Sequence, residues 1–364
     1  MKFQRQSNIT IENCSFTNCN KAIVSDLSIN MINCLIENKE ININKTKNGD
    51  TLILIGNGLN FSLREFLDID IRTSNFFSWK FIEFNNSKLR IEKSFPILYE
   101  KLKEVLYIEK DFDKIEKMIL DAKKNIQNNN DIINNKILLC EIEHYLMIIF
   151  SNYQKIIDDK NIEKWNWSKY FNMEHKKIYA IVSLNYDLVV EKILSNLRIE
   201  YSRIGVSNES GGIPIFKPHG SIDFLGRGIS MPISYPISNI ISRNDTPIIS
   251  LKRDELLMPR IEVDIVPPTQ ASEIESFQWI KPGYDLLINH GKEVKSLIIC
   301  GISYWECDRK EIDLIIDNIN PNCEVININP DKTSKDIQEF GNKIISKVGK
   351  KRYKQIKDVK ELFI

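Results

Sequence analysis

Several short stretches of the chain are apolar at nearly every position, not at every second or third one. Thr51-Leu-Ile-Leu-Ile55 is the clearest, and Ile178-Tyr-Ala-Ile-Val-Ser183, Ile213–Phe216, Lys295–Cys300 and Glu324–Ile328 repeat the habit. A strand covered on both faces, as in a parallel sheet, needs such a run, because neither face meets water. Between these runs the spacing changes to that of helices. Asp187–Leu197 reads as a helix with Asp187 placed like an N-cap. Asp308–Ile319 and the charged segment from Lys332 onward read as further helices. Strands alternating with helices predict an α/β fold, a doubly wound, mainly parallel Rossmann-like sheet.

A longer helical stretch interrupts this alternation over about 96–175. Pro96 can open a helix, and Ile97, Leu98, Leu102, Val105 and Leu106 recur at helical spacing. Ile115, Met118, Ile119 and Ala122 do the same, and Ile137–Tyr153 continues after an Asn-rich break at Gln127–Asn130. The expectation is an all-helical insertion between two strands. Residues 226–270, with many Gly, Pro and Ser, read as long loops that could form a lid.

The first 45 residues follow neither pattern. Ile11-Glu-Asn-Cys-Ser-Phe-Thr-Asn18 aligns with Met31-Ile-Asn-Cys-Leu-Ile-Glu-Asn38, so that Asn13, Cys14, Phe16 and Asn18 return 20 positions later as Asn33, Cys34, Ile36 and Asn38. Two readings stand. One is a pair of parallel β-helix coils, with Cys and Ile inside and Asn amides laddered along the stack. The other is a β-rich extension that packs on the rest of the chain or on a partner. Thr46–Asp50 is a turn-rich boundary, which gives a β-rich extension over 1–45 and a larger domain over 46–364.

The bulk numbers narrow the function classes. The 364 residues are 42% hydrophobic and 27% charged, which suits a soluble globular protein. The net charge is +1, so nothing asks for a nucleic-acid partner. The basic Lys350-Lys-Arg352 reads as a solvated helix face in a mixed-charge tail. The seven cysteines include no Cys-x-x-Cys pair, so free thiols in a reducing, cytoplasmic compartment are expected, and neither zinc nor another metal site. Met1–Arg5 lacks the start of a signal peptide, and the apolar run Tyr145–Phe150 is too short to span a bilayer, so no membrane partner is expected.

Chemistry-bearing residues sit just after the apolar runs, where open α/β sheets bind ligands. Gly56-Asn57-Gly58-Leu-Asn60 follows the first run. Glycines there let backbone approach a pyrophosphate at a helix N-terminus. The third glycine of a dinucleotide fingerprint is missing, since position 61 is Phe, and no acidic residue follows a second strand at the right place, so an ordinary dehydrogenase is not indicated. Ser183-Leu-Asn185-Tyr-Asp187 follows the second run. The amide of Asn185 can donate and accept at once, which suits a ribose hydroxyl, a water or a carboxamide, although Asn185 and Asp187 could equally form a turn and cap a helix. Lys217-Pro-His219-Gly220-Ser221 offers an imidazole that can titrate near neutral pH and act as a base, or that serves as a satisfied structural residue. His144, His175 and His290 lie within or near the ends of helical patterns and read as structural. Cys300-Gly301-Ile-Ser303 and Asn327-Ile-Asn329-Pro330 end two further strands and could contact an adenosine half.

Taken in order over residues 50–348, these five motifs resemble the NAD-binding domain of the sirtuin superfamily. The chain is especially similar to the bacterial sirtuin-like branch that includes NAD-hydrolysing antiphage effectors of the Thoeris type. The resemblance implies NAD or a related nucleotide as substrate or ligand. It implies Gly56, Asn57, Gly58 and Asn60 around the phosphates and ribose, Asn185 at the nicotinamide ribose or orienting a water, and Asp187 near the carboxamide. His219 would be the base, flanked by Gly220 and Ser221, with Gly301, Ser303 and Asn329 on the adenosine side. The zinc module of sirtuin deacetylases is absent, and Asn60-Phe-Ser-Leu-Arg-Glu-Phe66 replaces their Ser-Gly-Ile-Pro-x-Phe-Arg stretch. The implied activity is therefore an NAD glycohydrolase, with a non-catalytic NAD or ADP-ribose sensor as the rival reading and a zinc-free protein deacylase as a third. A free NAD hydrolase would be toxic to its own cell, so gating by homo-oligomerisation or a trigger is expected of such an enzyme.

Overall fold

The computed structural model describes residues 9–12, 15–16, 29–32, 35–36, 49–71, 73–79, 82–84, 87–226, 248–268, 277 and 279–363. The chain divides into two compact units, Met1–Lys47 and Asn48–Ile364. In the first, the strand Ile9–Glu12 pairs in parallel with Ile29–Ile32, and Ser15–Phe16 with Leu35–Ile36. Both pairings join residues 20 positions apart, Ile9 with Ile29 and Ser15 with Leu35, the spacing of the sequence repeat.

The second unit is built on a seven-stranded sheet whose recorded pairings are all parallel. In chain order its strands are β1 (Thr51–Ile55), β2 (Ile178–Ser183), β3 (Tyr201–Arg203), β4 (Ile213–Phe216), β5 (Ser296–Cys300), β6 (Glu324–Ile328) and β7 (Tyr353–Ile356). They lie in the order β7-β6-β5-β1-β2-β4-β3. Every residue of β1 is buried, and β2 and β5 each have one residue that is not, as expected of strands covered on both faces. From β1 the chain winds outward through β2 to β3 and β4. It then returns to the other side of β1 at β5 and continues to β7. The point where the winding reverses lies between β1 and β5, and a crevice opens there outside the carboxyl ends of the strands.

Nine helices of eight residues or more flank the sheet among the described residues. They are α1 (Gly58–Leu67), α2 (Pro96–Glu104), α3 (Asp111–Gln127), α4 (Ile132–Asp158), α5 (Asn166–Glu174), α6 (Val189–Asn196), α7 (Ile280–His290), α8 (Glu306–Asn318) and α9 (Lys335–Val348). None is long and apolar enough to cross a membrane among the described residues. One core packs the sheet against α1, α5 and α6, through residues such as Ile53, Leu63, Phe171 and Ile193. A second core belongs to the insertion. There Ile115, Met118 and Ile119 of α3 meet Leu138, Ile142 and Leu146 of α4, exploiting the spacing that puts them on one helix face.

Local outcomes differ from the sequence pattern at several points. The helix expected from Asp187 starts at Val189, because Asp187 turns its Oδ1 to the backbone N–H of Val189 at 3.1 Å and stays outside the helix. The helix expected from Asp308 begins two residues earlier, at Glu306. The edge strands β3 and β7 are short and mixed in polarity, so periodicity does not single them out. Lys350–Arg352 lies in an exposed 3₁₀ turn before β7, not on a helix face. Of the loop region 226–270, residues 227–247 and 269–270 lie outside the described residues. Within the described part, Ile248–Ser250 pairs antiparallel with Phe224–Gly226.

Candidate active site at the carboxyl edge of the sheet

The turn after β1 and the turn after β5 touch backbone to backbone. The N–H of Gly56 donates to the carbonyl of Cys300 at 2.9 Å, and that of Gly58 to the carbonyl of Gly301 at 3.1 Å. A Cβ on Gly58 would stand 2.2 Å from the Cα of Gly301, which no side chain can occupy. Gly301 itself has φ +62. These glycines are required by the meeting of two turns at the winding reversal, whatever approaches them from outside.

Asn60, in the first turn of α1, is buried and fully engaged. Its Nδ2 donates to Asp187 Oδ2 at 2.6 Å and to Asn57 Oδ1 at 3.1 Å, while its Oδ1 accepts from the hydroxyl of Tyr153 at 3.2 Å. Asn57 Oδ1 also accepts from the Thr73 hydroxyl at 2.8 Å. With Val189 on its other oxygen, Asp187 has both carboxylate oxygens occupied. Burial raises the Asp187 pKa above the ordinary carboxylate value, against the lowering pull of Lys217. Lys217 is itself buried. Its Nζ donates to the Asp187 backbone carbonyl and to Glu191 Oε1, so it ties the loop after β4 to the loop after β2.

The turn after β2 carries Asn185. Its Nδ2 donates to the carbonyl of Gly56 at 3.1 Å, and its Oδ1 meets no donor among the described residues. His219, in the loop after β4, is 8% exposed. Its Nδ1 lies 3.1 Å from the carbonyl of Leu184, the residue immediately before Asn185. A carbonyl only accepts, so Nδ1 carries a proton. Its Nε2 lies 2.7 Å from Glu311 Oε2 and 3.9 Å from Asp308 Oδ1, both on α8. Burial alone would lower the pKa of His219, but the Glu311 carboxylate, the hydrogen bond to it and Asp308 raise it to about 9. At neutral pH both ring nitrogens therefore bear protons, and the imidazolium is a donor on both sides. Burial raises the pKa of Asp308, with His219 opposing the shift.

Several of these groups line one cavity of about 690 Å³, a size typical of small-molecule and cofactor sites. Gly56, Asn57, Gly58 and Asn60 line it from the turn after β1, and Asn185 and Asp187 from the turn after β2. His219 lines it from the loop after β4, Gly301 and Ser303 from the turn after β5, and Asn329 from the end of β6. Gly220 and Ser221 do not. Gly220 has φ +74 and packs against the backbone of Asp264, and the Ser221 hydroxyl donates to the Tyr186 carbonyl, so both serve the loop's shape. The start of α3 and the residues before it complete the wall with Lys110 and Phe112. Lys110 Nζ sits 4.6 Å from the centroid of Trp305, which also lines the cavity.

Three contributors escaped the sequence reading. Glu311 and Asp308 are three residues apart on an ordinary amphipathic helix, and Tyr153 lies within the long apolar face of α4. Each acts across more than 80 positions of sequence, and no local pattern marks such a contact. The other histidines lie elsewhere: His144 Nδ1 bonds the Cys140 carbonyl within α4, His175 sits in a 3₁₀ turn and His290 ends α7. Among the described residues no cluster of His, Cys, Asp and Glu is arranged to hold a metal ion, and Cys140, Cys300, Cys307 and Cys323 are free thiols.

No protein-family model matches the chain, and no curated protein is similar to it in sequence. Among solved structures it is similar to a Sir2 homologue in complex with NAD, at 11% identity, over 90% of this chain and 91% of that one, with a TM-score of 0.38. It is also similar to a structure describing the mechanism and regulation of Sir2 enzymes, at 11% identity over 84% and 95% of the two chains, TM-score 0.34. A third, a mutant Sir2 homologue with ADP-ribose, matches at 11% identity over 85% and 96%, TM-score 0.33. The fold assignment, a doubly wound parallel sheet with a crevice at its winding reversal, rests on the strand order and register of this chain.

Proposed function

We propose that the protein binds NAD in the cavity at the carboxyl edge of the sheet and cleaves its nicotinamide–ribose bond, with water as acceptor. One observation carries the reading. Asn185 and His219, which belong to loops after different strands, line a single cavity, and His219 bonds the carbonyl of the residue before Asn185. The order of motifs and its resemblance to sirtuin-like NAD hydrolases supply the substrate class. Cleavage at the anomeric carbon builds positive charge on the sugar ring. The open Oδ1 of Asn185 is a preoriented dipole for that charge or for the attacking water. His219, once relieved of its Nε2 proton, is the base for a ribose hydroxyl or for the water. The aromatic wall of Phe61, Phe112, Phe150 and Trp305 gives a flat ring something to pack on.

The test is nicotinamide release from NAD by the purified chain. His219→Ala is expected to lower turnover by about a hundredfold or more, and Asn185→Ala by a similar factor. Wild-type turnover in either variant removes that residue from the mechanism.

A second reading, binding without cleavage, is favoured by the engagement of both ring nitrogens of His219 with protein partners, which leaves the ring no free lone pair. NAD that binds, measured by calorimetry, but stays intact over hours of incubation decides for the sensor.

A further inference from the structure

Glu311 is used nowhere in the chemistry above, yet it makes the shortest polar contact of the imidazole, 2.7 Å from Oε2 to Nε2. It is 3% exposed, and its other oxygen, Oε1, is buried and meets no donor among the described residues. An unpartnered carboxylate oxygen in the interior is costly, so Glu311 is not a group that packing alone would choose. It stands on α8, the helix that opens from the turn after β5. The contact therefore joins the loop after β4 to the far side of the winding reversal.

We propose that Glu311 is a positioning residue for His219. Its carboxylate fixes the ring and holds Nε2 as a donor, so the imidazole serves as a base only when a bound nucleotide takes that bond away and the Nε2 proton passes to water. This inference rests on the NAD-cleavage reading for its consequence in turnover, but the clasp itself is a property of the protein without nucleotide.

Among the described residues, the charged and titratable groups facing His219 are few. Glu311, Asp308 and Cys307 come from α8, and Tyr186 comes from the turn after β2, with ring centroids 6.2 Å apart. The thiol of Cys307 and the hydroxyl of Tyr186 are pushed upward by burial and stay neutral. The balance is thus set by one imidazolium against two carboxylates, of which Glu311 is the nearer. Replacing Glu311 with Gln removes the nearer charge and keeps the shape.

Imidazole ¹⁵N NMR on the nucleotide-free full chain tests the clasp directly. At about pH 8 the wild type is expected to show both ring nitrogens of His219 protonated, with His219→Ala assigning the signals. In Glu311→Gln the titration of His219 is expected to fall by at least about one pH unit, and in Asp308→Asn by less. Adding ADP-ribose, which offers the ribose without a bond to cleave, is expected to lower the wild-type titration as well. In turnover, the rising limb of the kcat/KM profile for nicotinamide release, which reports the free protein, is expected to move to lower pH in Glu311→Gln, with that of kcat moving less. A neutral His219 in the wild type at about pH 8, or an unmoved titration in a folded Glu311→Gln protein, overturns the proposal. If Glu311→Gln does not fold, the wild-type titration with and without ADP-ribose decides it. If the wild type releases no nicotinamide, the cleavage reading fails by itself, and the same titrations still decide whether Glu311 holds the ring.

Discussion

The two sides of the cavity are built on different principles. On the side of β1 and β5, glycine turns meet backbone to backbone and Asn60 spends its amide on Asp187, Asn57 and Tyr153. On that side the polar groups, the Asp187 carboxylate included, have their hydrogen bonds satisfied. On the side of His219, the contacts are ionic, the partners come from two distant elements and one carboxylate oxygen is left without a donor. The first arrangement lowers its energy by staying as it is. The second can lower its energy when something enters and changes partners. The comparison separates residues that shape the crevice from those able to do chemistry in it, although both sides border the same space.

The comparison can be broken most severely at the glycine turn. Gly58→Ala places a methyl group against the backbone of Gly301, which has no flexible end to move aside. We expect a loss of about 4 kcal/mol, at the upper end of overpacking effects, read as a fall in the denaturant midpoint or a failure to fold. A stability loss under about 1 kcal/mol would show that the two turns can part, and that the shaping side is as adaptable as the other.

The ionic side is sharpened by pH. His219 titrates near 9 when folded and near 6.5 when unfolded, so its raised folded value stabilises the protein. That contribution is fully present below about pH 6.5, declines as pH rises and is gone above about pH 9. Its size is on the order of 3 kcal/mol, measurable as the change in unfolding free energy across that window. Glu311→Gln is expected to flatten most of the decline, whereas Gly58→Ala, where it folds, keeps it. An equal slope in the wild type and in Glu311→Gln would detach the pH response from the pair.

Asn60→Ala is the mildest of the three. It leaves the Tyr153 hydroxyl and one Asp187 oxygen without their present partner, for an expected cost of about 2 kcal/mol in thermal or chemical unfolding. The pH response of His219 should be unchanged, because Asn60 does not touch it. A shift in that response would mean that the two sides are coupled through Asp187 and Lys217 and cannot be treated separately.

Much of the frame is legible along the chain. Continuous apolar runs mark β1, β2 and β5 because strands covered on both faces have no polar position to spare. The edge strands β3 and β7 are not legible, because half-covered edges tolerate any polarity. Asn185 and His219 are visible as polar groups directly after apolar runs. Their neighbours Gly220 and Ser221 share the motif but not the cavity, since a turn with positive φ points successive groups in different directions.

The sequence by itself determined the alternation of buried strands and helices, and with it the loops that carry polar groups, because burial of apolar surface dictates local spacing. Only the tertiary structure decided that the β1 glycines answer to Gly301, that Asn60 is consumed by Asp187 and Tyr153, and that Glu311 holds the imidazole. Those contacts join residues from 92 to more than 240 positions apart, where Coulomb attraction and steric fit act through space and leave no period in the chain.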